Sequence, residues 1–243
     1  MICVEDLRKR FGAVTAVDGA SFNAPDGQVT GLLGPNGAGK TTSLRMIYGL
    51  LKADSGTVAV DGVDIGSDPL PAQARLGVLP DQSGLYARLT PREHIRYFGN
   101  LHGMRGARLE TRIAELIRIL DLTAVADRPV SGFSHGERTK VALGRALVHQ
   151  PQNVLLDEPT NGLDVMSTRA VREVIRGLKA EGRCVLFSSH VMQEVSALCD
   201  RIVVIASGRV VAQGTAEELL AMAGEQTLED AFVSLTGRQG ENA

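Results

Sequence analysis

Apolar and polar positions alternate in short runs near the start of the chain and follow helical periodicity further along. The alternation, with β-branched residues and with Gly or Asp-Gly turns between the runs, predicts strands at residues 21–24, 28–33 and 57–60 and is typical of an antiparallel sheet. From residue 40 onward helical segments separate further short strands, which are predicted at 76–79, 154–157, 185–188 and 202–205. Helices that alternate with strands indicate a mainly parallel sheet, so the pattern predicts an α/β fold.

Three helices and no strand are predicted between about residues 84 and 150. The first has Thr90 as its cap and Glu93 three residues later, which is the spacing of a capping box. The second shows apolar residues at helical spacing around Ile113, and the third begins at Ser134. We therefore expect an inserted α-helical subdomain beside the sheet.

The domain boundaries follow from these patterns. Residues 1–222 are expected to form one cassette, with the helical subdomain at about 84–150. Residues 223–243 are expected to form a short C-terminal helix near 228–235 and a disordered polar tail.

Charge and composition exclude several classes of protein. The chain carries 26 Lys and Arg against 28 Asp and Glu, a net charge of −2, and its basic residues form no cluster suited to nucleic acid. Its apolar runs are far shorter than the ~20 residues that span a bilayer, and the N-terminus does not resemble a signal peptide. We expect a chain without membrane spans that stays in the cytosol, with Cys3, Cys184 and Cys199 as reduced thiols.

A phosphate-binding loop is predicted between an apolar strand and a helix. The octet GPNGAGKT fits the pattern G-x-x-x-x-G-K-[ST], in which glycines turn backbone N–H groups toward phosphate oxygens at a helix N-terminus. The Lys40 ammonium is expected to reach the β and γ phosphates, and the Thr41 hydroxyl to hold Mg²⁺. The predicted nucleotide-binding residues of this loop are Gly34, Pro35, Asn36, Gly37, Ala38, Gly39, Lys40, Thr41 and Thr42.

An acidic pair follows a second apolar strand. Asp157 and Glu158 are adjacent, and successive residues of a strand point to opposite faces, so the two carboxylates do not compete for one task. Asp157 suits the coordination shell of Mg²⁺, and Glu158 suits polarisation of an attacking water.

Together with these elements, three further motifs resemble those of the ATP-binding subunit of ABC transporters. Phe133-Ser-His-Gly-Glu corresponds to the signature sequence, Asn161-Gly-Leu-Asp164 to the D-loop and His190 to the switch histidine. The resemblance covers about residues 3–214. It implies a P-loop NTPase fold with a RecA-like parallel core, an N-terminal antiparallel β subdomain and an inserted helical subdomain.

The resemblance also implies a head-to-tail dimer that holds two ATP molecules, each between the phosphate loop of one cassette and the signature helix of the other. The signature residues expected to contact ATP in trans are Ser134, His135, Gly136 and Glu137, and Asp164 belongs to the D-loop. Ser134 and Glu137 also have the spacing of a capping box, which places free N–H groups at an exposed helix start.

Other roles implied by the resemblance concern the nucleotide and the attacking water. His190 is expected to bond the γ-phosphate and fix the water, which with Glu158 makes the catalytic pair. Phe11 stands where the family usually has a tyrosine that stacks on adenine; the alternative is that it packs in the core.

Two departures from the family are visible. The usual signature is L-S-G-G-Q, whereas this chain has His135 for a glycine and Glu137 for the glutamine, so the contact across the dimer is expected to be weaker or pH dependent. The loop glutamine that senses Mg²⁺ is displaced, and either Asp81 or Gln82 takes its place beside Thr41 and Asp157.

The expected function is ATP hydrolysis that powers a separate transmembrane permease, with the cassette attached through it to the cytoplasmic face of the inner membrane. Leu85, Tyr86 and Leu89 either contact a cytoplasmic helix of that permease or pack locally. The finer resemblance is to exporters of the sodium-efflux and drug-resistance groups. An importer subunit and a soluble ABC ATPase are the alternatives, and the cassette pair can be a homodimer or a heterodimer.

Overall fold

The computed structural model describes residues 1–82 and 84–237. In chain order the strands are β1 (Ile2–Phe11), β2 (Val14–Ala24), β3 (Val29–Leu33), β4 (Ser55–Val60), β5 (Val63–Asp64), β6 (Leu76–Leu79), β7 (Asn153–Asp157), β8 (Cys184–Ser189), β9 (Arg201–Ala206) and β10 (Arg209–Gly214). The α-helices are α1 (Lys40–Ile47), α2 (Pro69–Gln73), α3 (Pro91–Leu101), α4 (Gly106–Ile119), α5 (His135–Leu147), α6 (Val165–Ala180), α7 (Met192–Leu198), α8 (Ala216–Ala223) and α9 (Leu228–Gly237).

The larger sheet is mainly parallel, as the alternation of helices and strands predicted. Its strand order is β10-β9-β3-β8-β7-β6, with β3 parallel to β8 and β9 and with β7 parallel to β6 and β8. The strands predicted at 76–79, 154–157, 185–188 and 202–205 are confirmed as β6 to β9. Because β3, β8 and β7 are neighbours, the segments that follow them meet at one edge of the sheet.

The smaller sheet is antiparallel and has the order β2-β1-β4-β5. The strands predicted at 21–24 and 57–60 are confirmed within β2 and β4. The assignment of 28–33 to this sheet is wrong, because β3 lies inside the parallel sheet. All five residues of β3 are buried, as in a central strand covered on both faces, whereas a strand with one exposed face would alternate.

The strand β1 was not predicted, and a bulge explains the omission. Val4 and Leu7 both face the core, but a register shift lies between them and Asp6 has a positive φ of 45°. The extra residue breaks the period of two by which a strand is recognised in sequence.

The stretch expected to form the helical subdomain holds α3, α4 and α5. Both capping boxes are confirmed, because the hydroxyls of Thr90 and Ser134 accept from the N–H groups of Glu93 and Glu137, and the two cap residues donate their own N–H groups to the glutamate carboxylates. The apolar faces of these helices are buried in the same core as β7 and β8. The lobe is therefore packed against the edge of the sheet at which the acidic pair lies.

The three cysteines are free thiols, as expected. Burial raises the pKa of Cys184 to about 12, so this thiol stays protonated. The helix predicted near 228–235 is confirmed as α9, whereas the tail at 238–243 lies outside the described residues. Within the described part of the chain, no helix has both the length and the apolar character needed to cross a membrane.

Candidate active site

The loop between β3 and α1 is held close to its neighbours at two glycines. A Cβ at Gly34 would lie 2.3 Å from the carbonyl oxygen of Ile205, and one at Gly39 would lie 2.4 Å from that of Ala16. Gly39 also has a φ of +102°, which side-chain-bearing residues rarely adopt. The two glycines therefore fix the path of the loop against the sheets on either side.

Lys40 begins α1 and is almost fully buried, with 6% of its side chain exposed. Its Nζ donates to the carbonyl oxygens of Gly34 and Pro35 at 2.8 and 3.2 Å and lies 3.2 Å from Oε1 of Glu158. The buried ammonium is thus hydrogen-bonded to two carbonyl oxygens and paired with the negative charge of Glu158.

Asp157 ends β7 and is hydrogen-bonded from two neighbouring segments. Its Oδ1 accepts from the hydroxyl of Ser188 at 2.6 Å and from that of Thr41 at 3.2 Å. Burial raises the pKa of the Asp157 carboxyl above its ordinary value, while these two hydrogen bonds act in the opposite direction. A hydroxyl and a carboxylate oxygen close together form a donor set that fits Mg²⁺.

Glu158 stands between Lys40 and a histidine. Its Oε2 lies 2.9 Å from Nδ1 of His190, its Oε1 faces Lys40, and its backbone N–H donates to Oγ of Ser188 at 2.9 Å. Glu158 has a φ of +48°, so its backbone is in the left-handed region that a glutamate seldom occupies. In this conformation the carboxylate contacts Lys40 at the start of α1 and His190 after β8.

Lys40, Thr41, Glu158 and His190 line one cavity of about 380 Å³. Its walls include most of the predicted loop residues together with Ala16, Asp81, Glu158, Asn161 and His190. Gln82 lines an adjoining cavity of about 400 Å³, which also reaches Asp81, Asp157 and Glu158. Asp81 thus lines both cavities, whereas Gln82, the other candidate for the Mg²⁺-sensing role, lines only the adjoining one.

The signature residues lie at the other side of the acidic pair. Ser134 caps α5 through the box with Glu137, whose carboxylate also lies 3.6 Å from Arg128. A Cβ at Gly136 would meet Oγ of Ser167 at 2.4 Å, so the start of α5 packs tightly on the start of α6. Within the described residues, none of these signature residues lines the 380 Å³ cavity.

Asp164 and Phe11 have local partners. Asp164 caps α6 by accepting from the N–H and the hydroxyl of Ser167, both at 2.8 Å, and the N–H of Ser167 holds the pKa of this carboxyl below its ordinary value. Phe11 ends β1 with about half of its surface exposed, and the Lys9 ammonium lies 5.7 Å from its ring centre. The ring stands outside the walls of the loop cavity.

Ser188 is a site residue that sequence reasoning missed. It bonds both carboxylate-bearing residues, through its hydroxyl to Asp157 and from the backbone of Glu158. The signal available in the sequence was its position two residues before His190, at the end of a strand predicted to neighbour the acidic one.

A second cavity, of about 410 Å³ and here called the lobe groove, is lined by residues of α1–β4, α2, β6, α3 and α5: Tyr48, Leu50, Gln73, Leu76, Val78, Pro80, Phe98, His102, Arg145, Ala146 and His149. The Arg145 guanidinium lies over the Phe98 ring at 4.8 Å, and no carboxylate of the described residues pairs with it. Burial lowers its pKa.

Two histidines of the lobe groove stack on each other. The rings of His102 and His149 are 3.6 Å apart and parallel to within 2°. His149 donates from Nε2 to the carbonyl oxygen of Leu76 at 3.0 Å, while its Nδ1 is buried without a hydrogen bond from the described residues. Burial, reinforced by His102, lowers the pKa of His149 to about 4, so it is neutral near pH 7.

Comparisons with known proteins agree with this geometry. The sequence model of a family described as ABC transporter matches residues 17–161. The ABC transporter ATP-binding protein NatA of Bacillus subtilis is 43% identical, over 96% of this chain and 97% of its own length. The Nod factor export ATP-binding protein I of Ralstonia nicotianae is 40% identical, over 90% of this chain and 68% of its own. A solved ATP-binding subunit of an ABC transporter, 29% identical, superposes with a TM-score of 0.90 over 97% of this chain and 99% of its own.

Proposed function

The chain belongs to the ABC transporter family, and from that premise we propose that it is the ATP-hydrolysing subunit that powers export by a partner membrane permease. The observation that carries the proposal is the Glu158 carboxylate, held between Lys40 and His190 at the wall of the loop cavity. The likeness to a Nod factor export protein supports the outward direction.

The phosphate loop accounts for ATP binding. The backbone N–H groups of the loop and of the first turn of α1 face anionic oxygens, and Lys40 exchanges its bonds with the loop carbonyls for bonds to the β and γ phosphates. Thr41 and Asp157 would hold Mg²⁺, with Asp81 at the same wall. The ion supplies neutralisation of phosphate charge.

Glu158 and His190 account for hydrolysis. The water oxygen attacks the γ-phosphorus, the water proton passes to the Glu158 carboxylate, and the bond to the bridging oxygen breaks as ADP leaves. His190 donates from Nδ1 to Oε2 of Glu158 and thereby orients the base, while its other ring nitrogen is available to the γ-phosphate.

The permease docks, in our proposal, in the lobe groove. The groove is mostly apolar and contains a partly buried cation, Arg145, without a carboxylate partner in the described part of the chain. An amphipathic segment with an acidic side chain would cover the apolar wall and supply that charge. Tyr86, more than half exposed, and the partly buried Leu85 lie on the loop that leads into the lobe. This docking would hold the cassette at the cytoplasmic face of the membrane.

The substitution Glu158→Gln tests the proposal most directly. It keeps the shape and the bond to His190 but removes the proton acceptor, so hydrolysis should fall by about 10² or more. Because the glutamine still permits ATP binding, the variant should form an ATP-dependent dimer, measured by light scattering after size exclusion. The exposed Glu173→Gln is the matched control.

The outcomes separate the parts of the mechanism. A Glu158→Gln chain that hydrolyses ATP at the wild-type rate would show that Glu158 is not the base. A variant that is inactive but monomeric with ATP would contradict the homodimer and leave a second, different cassette as the partner.

A further inference from the structure

His135 makes a contact that the glycine usual at this position of the signature cannot make. Its Nε2 lies 3.0 Å from the carbonyl oxygen of Asn161, and its ring edge faces Gly162, where a Cβ would be 3.6 Å from Cδ2. A carbonyl oxygen only accepts, so His135 donates through Nε2–H. The first residue of α5 is thereby tied to the loop that follows the acidic pair.

Asn161 continues this link into the active site. Its N–H donates to the carbonyl oxygen of Glu158 at 3.1 Å, and it lines the same cavity as Lys40 and His190. Two hydrogen bonds, His135 to Asn161 and Asn161 to Glu158, therefore link the signature helix to the main chain of the catalytic glutamate. The tight packing of Gly136 on Ser167 joins the same two segments a second time.

The direction of the hydrogen bond separates this role from phosphate binding. Because Nε2–H is donated to the carbonyl oxygen of Asn161, this donor is not available to a phosphate oxygen. In this structure the His135 ring therefore binds the loop after the acidic pair of its own chain.

We propose that His135 is a positioning residue, which holds the loop at residues 161–163 and, through it, Glu158 in the arrangement that dimer closure requires. The inference rests on the proposed function, because the closure is that of the ATP-bound dimer. The contact lies at the surface, so its effect should be severalfold and not absolute.

Amide hydrogen exchange on the nucleotide-free chain tests the link without any dimer. His135→Ala should speed exchange at the N–H groups of Asn161 and Leu163, which bond within the loop, by about three- to tenfold, the range that one typical net hydrogen bond confers. His135→Gln carries an N–H at the same distance along the side chain and should restore slow exchange. Unchanged exchange in His135→Ala would overturn the link, and failure of the glutamine to rescue would reduce His135 to a packing residue.

Dimerisation in the Glu158→Gln background tests the consequence. The ATP concentration for half-maximal dimer should rise threefold or more in His135→Ala and return in His135→Gln, while the affinity of the monomer for a fluorescent ATP analogue stays unchanged. An unchanged midpoint would overturn the positioning role. Absence of any ATP-dependent dimer with His135 present would count instead against the proposed function, and hydrogen exchange would still decide the link.

Discussion

The loop cavity and the lobe groove have similar volumes, about 380 and 410 Å³, but they differ in how their charges are paired. In the loop cavity Lys40 is paired with Glu158 and Glu158 with His190, and beside it Asp157 accepts from two hydroxyls. In the lobe groove Arg145 lies over the Phe98 ring with no carboxylate partner among the described residues, and Nδ1 of His149 has no hydrogen bond from them.

The difference in charge pairing indicates which kind of ligand each cavity is suited to bind. A polar network that is closed within the chain is preorganised for a ligand with matching charge. A partly buried cation without a counter-charge, such as Arg145, lowers the stability of the isolated chain, because burial disfavours its charged form. Its presence in the lobe groove is explained if a partner supplies the missing carboxylate.

The largest effect is expected when the hydrogen-bonded network of the loop cavity loses Lys40, the only lysine among the described residues that line the cavity. Lys40→Ala should abolish ATP binding and lower hydrolysis by about 10²–10³, since it removes the proposed phosphate ligand and leaves Glu158 without its buried partner. Isothermal titration with ATP and a phosphate-release assay measure the two effects. The exposed Lys52→Ala is the matched control, and tight ATP binding by Lys40→Ala would break the assignment of the cavity.

A smaller effect is expected from Asp157→Asn, which keeps an acceptor for Ser188 but removes the charge. The Mg²⁺ concentration for half-maximal hydrolysis should rise by about 10- to 100-fold. The urea midpoint without Mg²⁺ should not fall, because burial raises the pKa of Asp157 and folding therefore disfavours its charged form at neutral pH. The exposed Asp121→Asn should change neither quantity, and an unaltered Mg²⁺ requirement in Asp157→Asn would refute the ligand role.

The closed network is also the part that sequence could predict. The spacing of Gly34, Lys40 and Thr41 encodes a backbone path, and the carboxyl ends of neighbouring parallel strands bring Glu158 and His190 to that path. The parallel sheet could be predicted for the same reason, apart from β10, which was missed, and β3, which was misplaced. In the smaller sheet β1, with its bulge, and the two-residue β5 were missed.

Other contacts join residues that are far apart in the sequence and depend on how their helices and loops pack. The residues around each partner carry no local signal that predicts such a contact. His135 and Asn161 are 26 positions apart and meet only because α5 lies against the loop after β7. Arg145 belongs to a regular amphipathic helix, and nothing in its neighbourhood along the chain shows that no carboxylate will face it.

Arg145→Leu should have opposite effects on the isolated chain and on the complex. The leucine removes a partly buried, unpaired charge and still packs on Phe98, so the melting temperature should stay unchanged or rise. ATP affinity should not change, whereas stimulation of hydrolysis by the permease that copurifies with the chain should fall severalfold. Arg108→Leu, on an exposed face of α4, is the control. A marked loss of stability in Arg145→Leu would make the arginine a structural residue and remove the contrast between the two cavities.

The smallest effect concerns the acid sensitivity of the lobe groove. His149 takes up a proton near pH 4 when folded but near its ordinary pKa of 6.5 when unfolded, so the unfolded chain binds more protons between these values and stability falls as the pH falls from 6.5 toward 4. His149→Gln keeps a donor for Leu76 and removes this titration. The loss of unfolding free energy between pH 7.5 and pH 5 should therefore be smaller in the variant by about 1 kcal/mol, after allowance for partial exposure. Urea unfolding at the two pH values measures it. Equal losses in both chains would show that protonation of His149, stacked on His102, does not cause the loss of stability in acid. The polar groups of the lobe groove would then be satisfied within the chain, as those of the loop cavity are.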